Sequence, residues 1–128
     1  MVTEVTNGIR VSVRQKYQPD YSNPFQAHYV FTYKISIENL TDYTIQLKSR
    51  VWNIHDGNGS YREVVGEGVV GQQPVLEPGE SHDYVSGCNF KSGIGKMYGK
   101  YMFEKIMTGE EFEVNIPEFT LCVPFKLN

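Results

Sequence analysis

The chain has 128 residues, 40% hydrophobic and 21% charged, with 12 basic against 15 acidic side chains and a net charge of −3. That length fits one domain, residues 1–128, with a core large enough to need neither disulfides nor a structural metal. The mildly acidic balance argues against a protein whose main affinity is for nucleic acid, since such domains are usually basic.

One alanine, Ala27, and five leucines stand against 14 valines, eight isoleucines, nine tyrosines and seven phenylalanines. Strong helix formers are scarce and residues suited to a pleated surface abound, which predicts an all-β protein. Met1 to Gly8 has no basic stretch followed by an apolar one, so no signal peptide is expected there. No run approaches the ~18 consecutive apolar residues of a membrane span, and no membrane insertion is expected. Cys88 and Cys122 are too few for a disulfide scaffold and lack metal-type spacing. A reduced, cytoplasmic protein without metal or cofactor is the expectation.

The first predicted strand alternates Ile9, Val11, Val13 and Tyr17 with Arg10, Ser12, Arg14 and Lys16, the period-two mark of a half-buried strand. Gln18 to Ala27 carries Pro19 and Pro24 and reads as a loop. In the next strand Tyr29, Phe31, Tyr33, Ile35 and Ile37 face one way, and most should meet Trp52 in the core. Asn39-Leu40-Thr41-Asp42 turns the chain into a third strand, Ile45 to Ile54. Its rhythm breaks, because Ile45 and Leu47 share odd parity while Trp52 and Ile54 are even. A bulge near Ser49-Arg50, or burial of both faces, would explain the slip. Asp56-Gly57-Asn58-Gly59 is a turn, and Tyr61 to Val65 a short strand. After a glycine-rich run and the turn at Glu77-Pro78-Gly79-Glu80, strands read at Ser81 to Phe90, Met97 to Ile106 and Glu111 to Val123. A second parity slip falls at Pro117, where a bulge or edge position fits a residue that cannot donate to a ladder. Seven or eight strands with frequent turns predict an antiparallel sandwich.

Several motifs invite chemistry. GEGVVG, Gly66 to Gly71, matches G-x-G-x-x-G, but Pro74 and Pro78 leave no room for the helix that meets a pyrophosphate in dinucleotide folds. Glycines serving backbone geometry are the favoured explanation, with an anion-binding nest at Gly66, Gly68 and Gly71 as the functional alternative. Asp56, Asn58, Ser60 and Glu67 fall on a calcium-loop template, yet Tyr61 occupies its obligatory glycine position. His82 and Cys88 lie roughly 20 Å apart on one extended strand, too far for a dyad. Arg50, Trp52 and Asp56 share parity, so a guanidinium, an indole and a carboxylate come together; a cation–π pair capping the core is the favoured reading and a binding site the alternative. Arg10 and Arg14 on the first strand, followed by Tyr17, Tyr21 and Phe25, could form an interaction surface or cover the sandwich's open end.

Longer segments carry a family likeness. SRVWNIHDGNG (Ser49 to Gly59), VVGEGVVGQQPVLEPGE (Val64 to Glu80), YVSG (Tyr84 to Gly87), GKMYGKYMF (Gly95 to Phe103) and IPEF (Ile116 to Phe119) resemble the ApaG family, as does YVFTYKISIEN (Tyr29 to Asn39). Val51 and His55 stand where the family pattern often shows His and Thr. The resemblance implies an immunoglobulin- or fibronectin type III-like sandwich in a bacterial cytoplasmic protein, with a genetic link to cobalt resistance and magnesium efflux. Related domains in eukaryotic F-box proteins and in a polymerase delta-interacting protein imply use as an interaction module. The family's genes often neighbour that of a diadenosine tetraphosphate hydrolase. No catalytic residues are implied, and Arg50, Trp52, Asp56, Tyr84 and Gly87 enter as motif positions of structural character.

Two functions follow from these readings. One is a non-catalytic interaction domain, monomeric or homodimeric, with an unidentified protein partner. The other is a small-ligand module binding pyrophosphate or a nucleotide polyphosphate through GEGVVG.

Overall fold

The computed structural model describes residues 1–124. Nine strands appear among them: β1 Val2–Thr6, β2 Ile9–Tyr17, β3 Tyr29–Asn39, β4 Ile45–Asp56, β5 Tyr61–Glu67, β6 Val75–Leu76, β7 Ser81–Phe90, β8 Ile94–Lys105 and β9 Glu111–Cys122. They form two antiparallel sheets, one ordered β1-β2-β3-β7 and the other β5-β4-β8-β9 with β6 paired to β4. Two three-residue 3-10 turns, Pro19–Tyr21 and Pro24–Gln26, lie inside the predicted loop. The count exceeds the expected seven or eight because β1 and β6 are short elements with little alternation of their own. Asn7 and Gly8, with φ of 52° and 78°, make the tight hairpin that pairs β1 with β2.

Alternation delivers the core. Phe31, Tyr33, Ile35 and Ile37 of β3 are buried, and Tyr29 is partly buried at the core's margin. Trp52 packs edge-on against Tyr33 at 5.4 Å and against Phe119 at 5.9 Å. Both parity slips are bulges. Register between β4 and β8 shifts between Leu47 and Ser49, which places Ile45, Leu47, Trp52 and Ile54 all in the core. Opposite Pro117, the register of β8 with β9 shifts between Met97 and Gly99. The buried Asn39 closes the β3–β4 turn, donating to the carbonyls of Tyr43 and Leu76 and accepting from Thr41. Its four hydrogen-bonding positions are thereby put to use, which makes a buried amide tolerable.

The two long sides of the sandwich differ. On one, β1 and β2 lie against β9, tied by Asn7 Nδ2 to the Glu113 carbonyl, Gln15 Nε2 to the Thr120 carbonyl and Asn115 Nδ2 to the Glu4 carboxylate. On the other, β7 ends the first sheet and β5 ends the second. A cleft opens between these two edges.

Candidate functional site

This cleft has a volume of about 360 Å³. Inward-facing Arg50, Trp52 and Ile54 of β4 form its floor, with Arg62 and Val64 of β5 on one side and Tyr84, Ser86 and Cys88 of β7 on the other. Val69 and Val70, from the chain following β5, close one end. Most sequence motifs that are far apart in the chain therefore meet here: the arginine-tryptophan segment, the glycine run and Tyr84 with Gly87.

The glycine run shapes one wall. Gly66 pairs with Arg50 across the β4–β5 ladder, and a Cβ there would stand 2.8 Å from Arg50 Nη1, so the missing side chain makes room for the guanidinium. Arg50 Nη1 donates to the carbonyls of Glu67 at 2.9 Å and Gly68 at 2.8 Å. The expected cation–π contact between Arg50 and Trp52 gives way to these bonds, because carbonyls at the end of β5 lie within the guanidinium's reach. Lys105 over the Tyr43 ring, at 4.5 Å, is a cation–π contact the structure does contain. Gly68 and Gly71 have φ of +61° and +76°, and Val70 between them has +49°. Val69 and Gln72 exchange both backbone hydrogen bonds around this turn. Gly68 N–H donates to the carbonyl of Lys48, the bulged residue of β4. The glycines thus serve backbone geometry, and the amides of Gly68, Val69 and Gln72 are committed within the chain.

Hydroxyl groups line the depth of the cleft. Tyr84 and Tyr101 hydrogen-bond through their hydroxyls, and Tyr33 pairs with Ser86 across β3 and β7. Burial pushes all three phenols up, while Arg50 acts in the opposite sense on each. Burial likewise pushes the Cys88 thiol up to about 12, which keeps it protonated and unreactive at neutral pH. His82 stacks on Tyr84 rather than approaching Cys88, so these residues form no nucleophile–base pair. Among the described residues no group of three His, Cys, Asp or Glu side chains is placed to hold a metal ion.

Arg50 and Arg62 take part in none of the ion pairs among the described residues, and no carboxylate lines the cleft. Arg62 makes only a long bond, Nη2 to the Asn89 carbonyl at 3.3 Å. Sequence reading passed over Arg62. The signal for Arg62 was its parity with Val64, which sets it opposite Ile54 once the turn at Asp56-Gly57-Asn58-Gly59 fixes the β4–β5 register.

Asp56 lies next to this cleft, in an adjoining pocket that also holds Arg62, Asn89 and Lys91. Its carboxylate accepts from Lys91 N–H at 2.7 Å, and from Ser92 through both N–H and hydroxyl, which joins the β4–β5 turn to the β7–β8 turn. Partial burial raises its pKa, but the Ser92 hydroxyl and the amides of Lys91, Asn58 and Ser92 outweigh that and hold it below the usual carboxylate value.

The first-strand surface is elsewhere. Arg10 pairs with Glu38, and Arg14 reaches only the Met1 sulfur at 4.0 Å. Tyr17 covers the core, its ring 5.3 Å from Phe31. Tyr21 and Phe25 cover nothing: they are 73% and 102% exposed. Their loop is nonetheless pinned, with Asn23 and His28 exchanging backbone hydrogen bonds and Val30 N–H donating to Ser22 Oγ at 2.8 Å.

Comparison with known proteins places residues 19–105 on the model of the ApaG domain. The chain is 48% identical over 124 residues to Protein ApaG of Brucella anthropi, covering 97% of this chain and 95% of that protein. Protein ApaG of Brucella canis is 46% identical over the same span. A crystal structure from Bordetella pertussis, described as of an ApaA protein, superposes with a TM-score of 0.87 at 46% identity, covering 91% of this chain and 94% of the other.

Proposed function

The chain belongs to the ApaG family, and we propose that it works as a non-catalytic interaction domain that grips a partner protein through the loop between β2 and β3. One observation carries this: Phe25 and Tyr21 are held out into solvent by a hydrogen-bonded loop. Exposed aromatic rings on an ordered segment bury a large area at small entropic cost when a partner covers them. The family's link to cobalt resistance and magnesium efflux then follows from the partner. A cytoplasmic setting and the fibronectin type III-like use of the sandwich belong to the same reading. The alternative, pyrophosphate or nucleotide polyphosphate on the amides of GEGVVG, has less support, because the amides of Gly68, Val69 and Gln72 already donate to protein carbonyls.

The test is affinity purification from the native host with wild type, Tyr21→Ala and Phe25→Ala, followed by binding of the identified partner in purified form. Circular dichroism first establishes that both variants fold. Loss of about tenfold or more in affinity is expected from at least one ring, as for an interface anchor. Undiminished binding by both folded variants would remove the loop from the interface.

A further inference from the structure

We propose that the β5–β7 cleft is a second binding site, which takes an extended acidic peptide segment added to the free edge of β7, with a carboxylate seated on Arg62 and Arg50. The site is independent of the aromatic loop.

Three observations converge on it. The first is a free backbone edge. Val30 directs its carbonyl to Gln18, away from its cross-strand partner Asn89, and the Asn89 carbonyl is bonded by Arg62 from across the cleft. Asn89 therefore turns its backbone groups away from β3. By the period-two alternation of a strand, Gly87 and Val85 also present N–H and C=O to the open side. Those groups are what a strand-adding peptide uses for affinity.

The second is charge. Two guanidinium groups face a cleft that no carboxylate lines, in a protein whose net charge is −3. Among the described residues Lys34, Lys48, Lys96, Lys100, Lys105 and Arg10 have acidic partners, whereas Arg14, Lys16, Lys91, Arg50 and Arg62 have none, and of these Arg50 and Arg62 line this cleft. The long bond from Arg62 to the Asn89 carbonyl is readily exchanged for a charge-assisted one to a carboxylate. Tyr84 and Ser86 add hydroxyls beside it.

The third is the rim. Val64, Val70 and Val85 are exposed around the mouth of the cleft. A segment with apolar residues flanking an acid at alternate positions would cover Val64 and Val70 while its carboxylate reaches the arginines.

The experiment is selection of a displayed random 12-residue peptide library on the full chain, followed by fluorescence anisotropy with the enriched peptides. We expect enriched sequences to share Asp or Glu with apolar residues two positions away, and binding to weaken as salt is raised. Arg62→Gln should reduce affinity about tenfold or more. Val85→Pro, which deletes an edge N–H without touching the arginines, should do the same. Arg62 is on an edge strand and makes a single long bond, so its variant keeps the test decisive should Val85→Pro fail to fold. The proposal falls if no peptide is enriched, if enriched peptides lack an acid, or if folded Arg62→Gln binds them as wild type does. It also falls if pyrophosphate binds the chain at Arg62 while no peptide does, which would make this a small-anion site.

Discussion

Gly68 and Gly71 have similar φ but different surroundings, and this separates two costs that are often merged. A Cβ at Gly68 would stand 2.1 Å from the Gln72 carbonyl oxygen, whereas at Gly71 it would meet nothing within 4 Å. Gly71→Ala should therefore cost about 1 kcal/mol, the left-handed backbone penalty alone. Gly68→Ala should cost about 3 kcal/mol, since strain and a backbone clash add to it. Urea denaturation of the two variants checks the order, and equal midpoints would contradict it. The Tyr84–Tyr101 pair offers a second test. Tyr84→Phe leaves the Tyr101 hydroxyl buried without its partner, at a cost of about 1–3 kcal/mol. Removing both hydroxyls should cost less than the sum of the single changes, as a double-mutant cycle would show.

Within β4, one residue decides which side chains are inside. Ile45 and Leu47 enter the core before the bulge, and Trp52 and Ile54 after it. The bulged Lys48 also lends its carbonyl to Gly68 N–H and to Gln73 Nε2. Deleting Lys48 restores a regular alternation with the same residues inward, so the chain should still fold. It should be weaker by about 2 kcal/mol for the two lost hydrogen bonds. Inserting one alanine between Val51 and Trp52 instead turns Trp52 and Ile54 to solvent, because a one-residue slip exchanges the faces. That variant should lose its dispersed amide NMR spectrum, and a folded spectrum would show that β4 adapts by other means.

Across the whole molecule, burial and hydrogen bonding set a pH window. Asp56 has a lowered folded pKa, so its contribution is complete above the ordinary carboxylate value near ~4 and fades as pH falls below it. Cys88 is raised to about 12 and the three buried phenols are raised as well. Their neutral forms belong to the folded state, so stability is full below the unfolded thiol's pKa of ~8.5 and declines as pH rises beyond it. Urea midpoints should plateau between about pH 5 and 8 and fall on both sides. Alkylation of Cys88 at pH 8 should be slow in the folded chain and fast in urea. Rapid labelling at Cys88, read apart from the second free thiol, Cys122, by peptide mapping, would contradict the burial of this thiol.

The amino-acid sequence by itself determined the strands and their inward faces. Alternation is a local property, so Phe31, Tyr33, Ile35 and Ile37 could be assigned to one face, and the parity slips at Ser49-Arg50 and Pro117 could be read as bulges. The turn at Asp56 to Gly59 was equally legible, because turn chemistry resides in adjacent residues. Strands β1 and β6 were not legible, since short edge elements acquire their structure from the partner they pair with. Only the tertiary structure decided which edges stay free. Strand order rests on contacts between residues distant in the chain, and that order leaves β5 and β7 unpaired on one side while β1 and β2 lie against β9 on the other. It likewise brought Arg62 to Asn89 and Arg50 to the end of β5, and left Tyr21 and Phe25 in water while Tyr17 covered the core. Side chains on a loop have no period to read; what they touch is settled by how the sheets close.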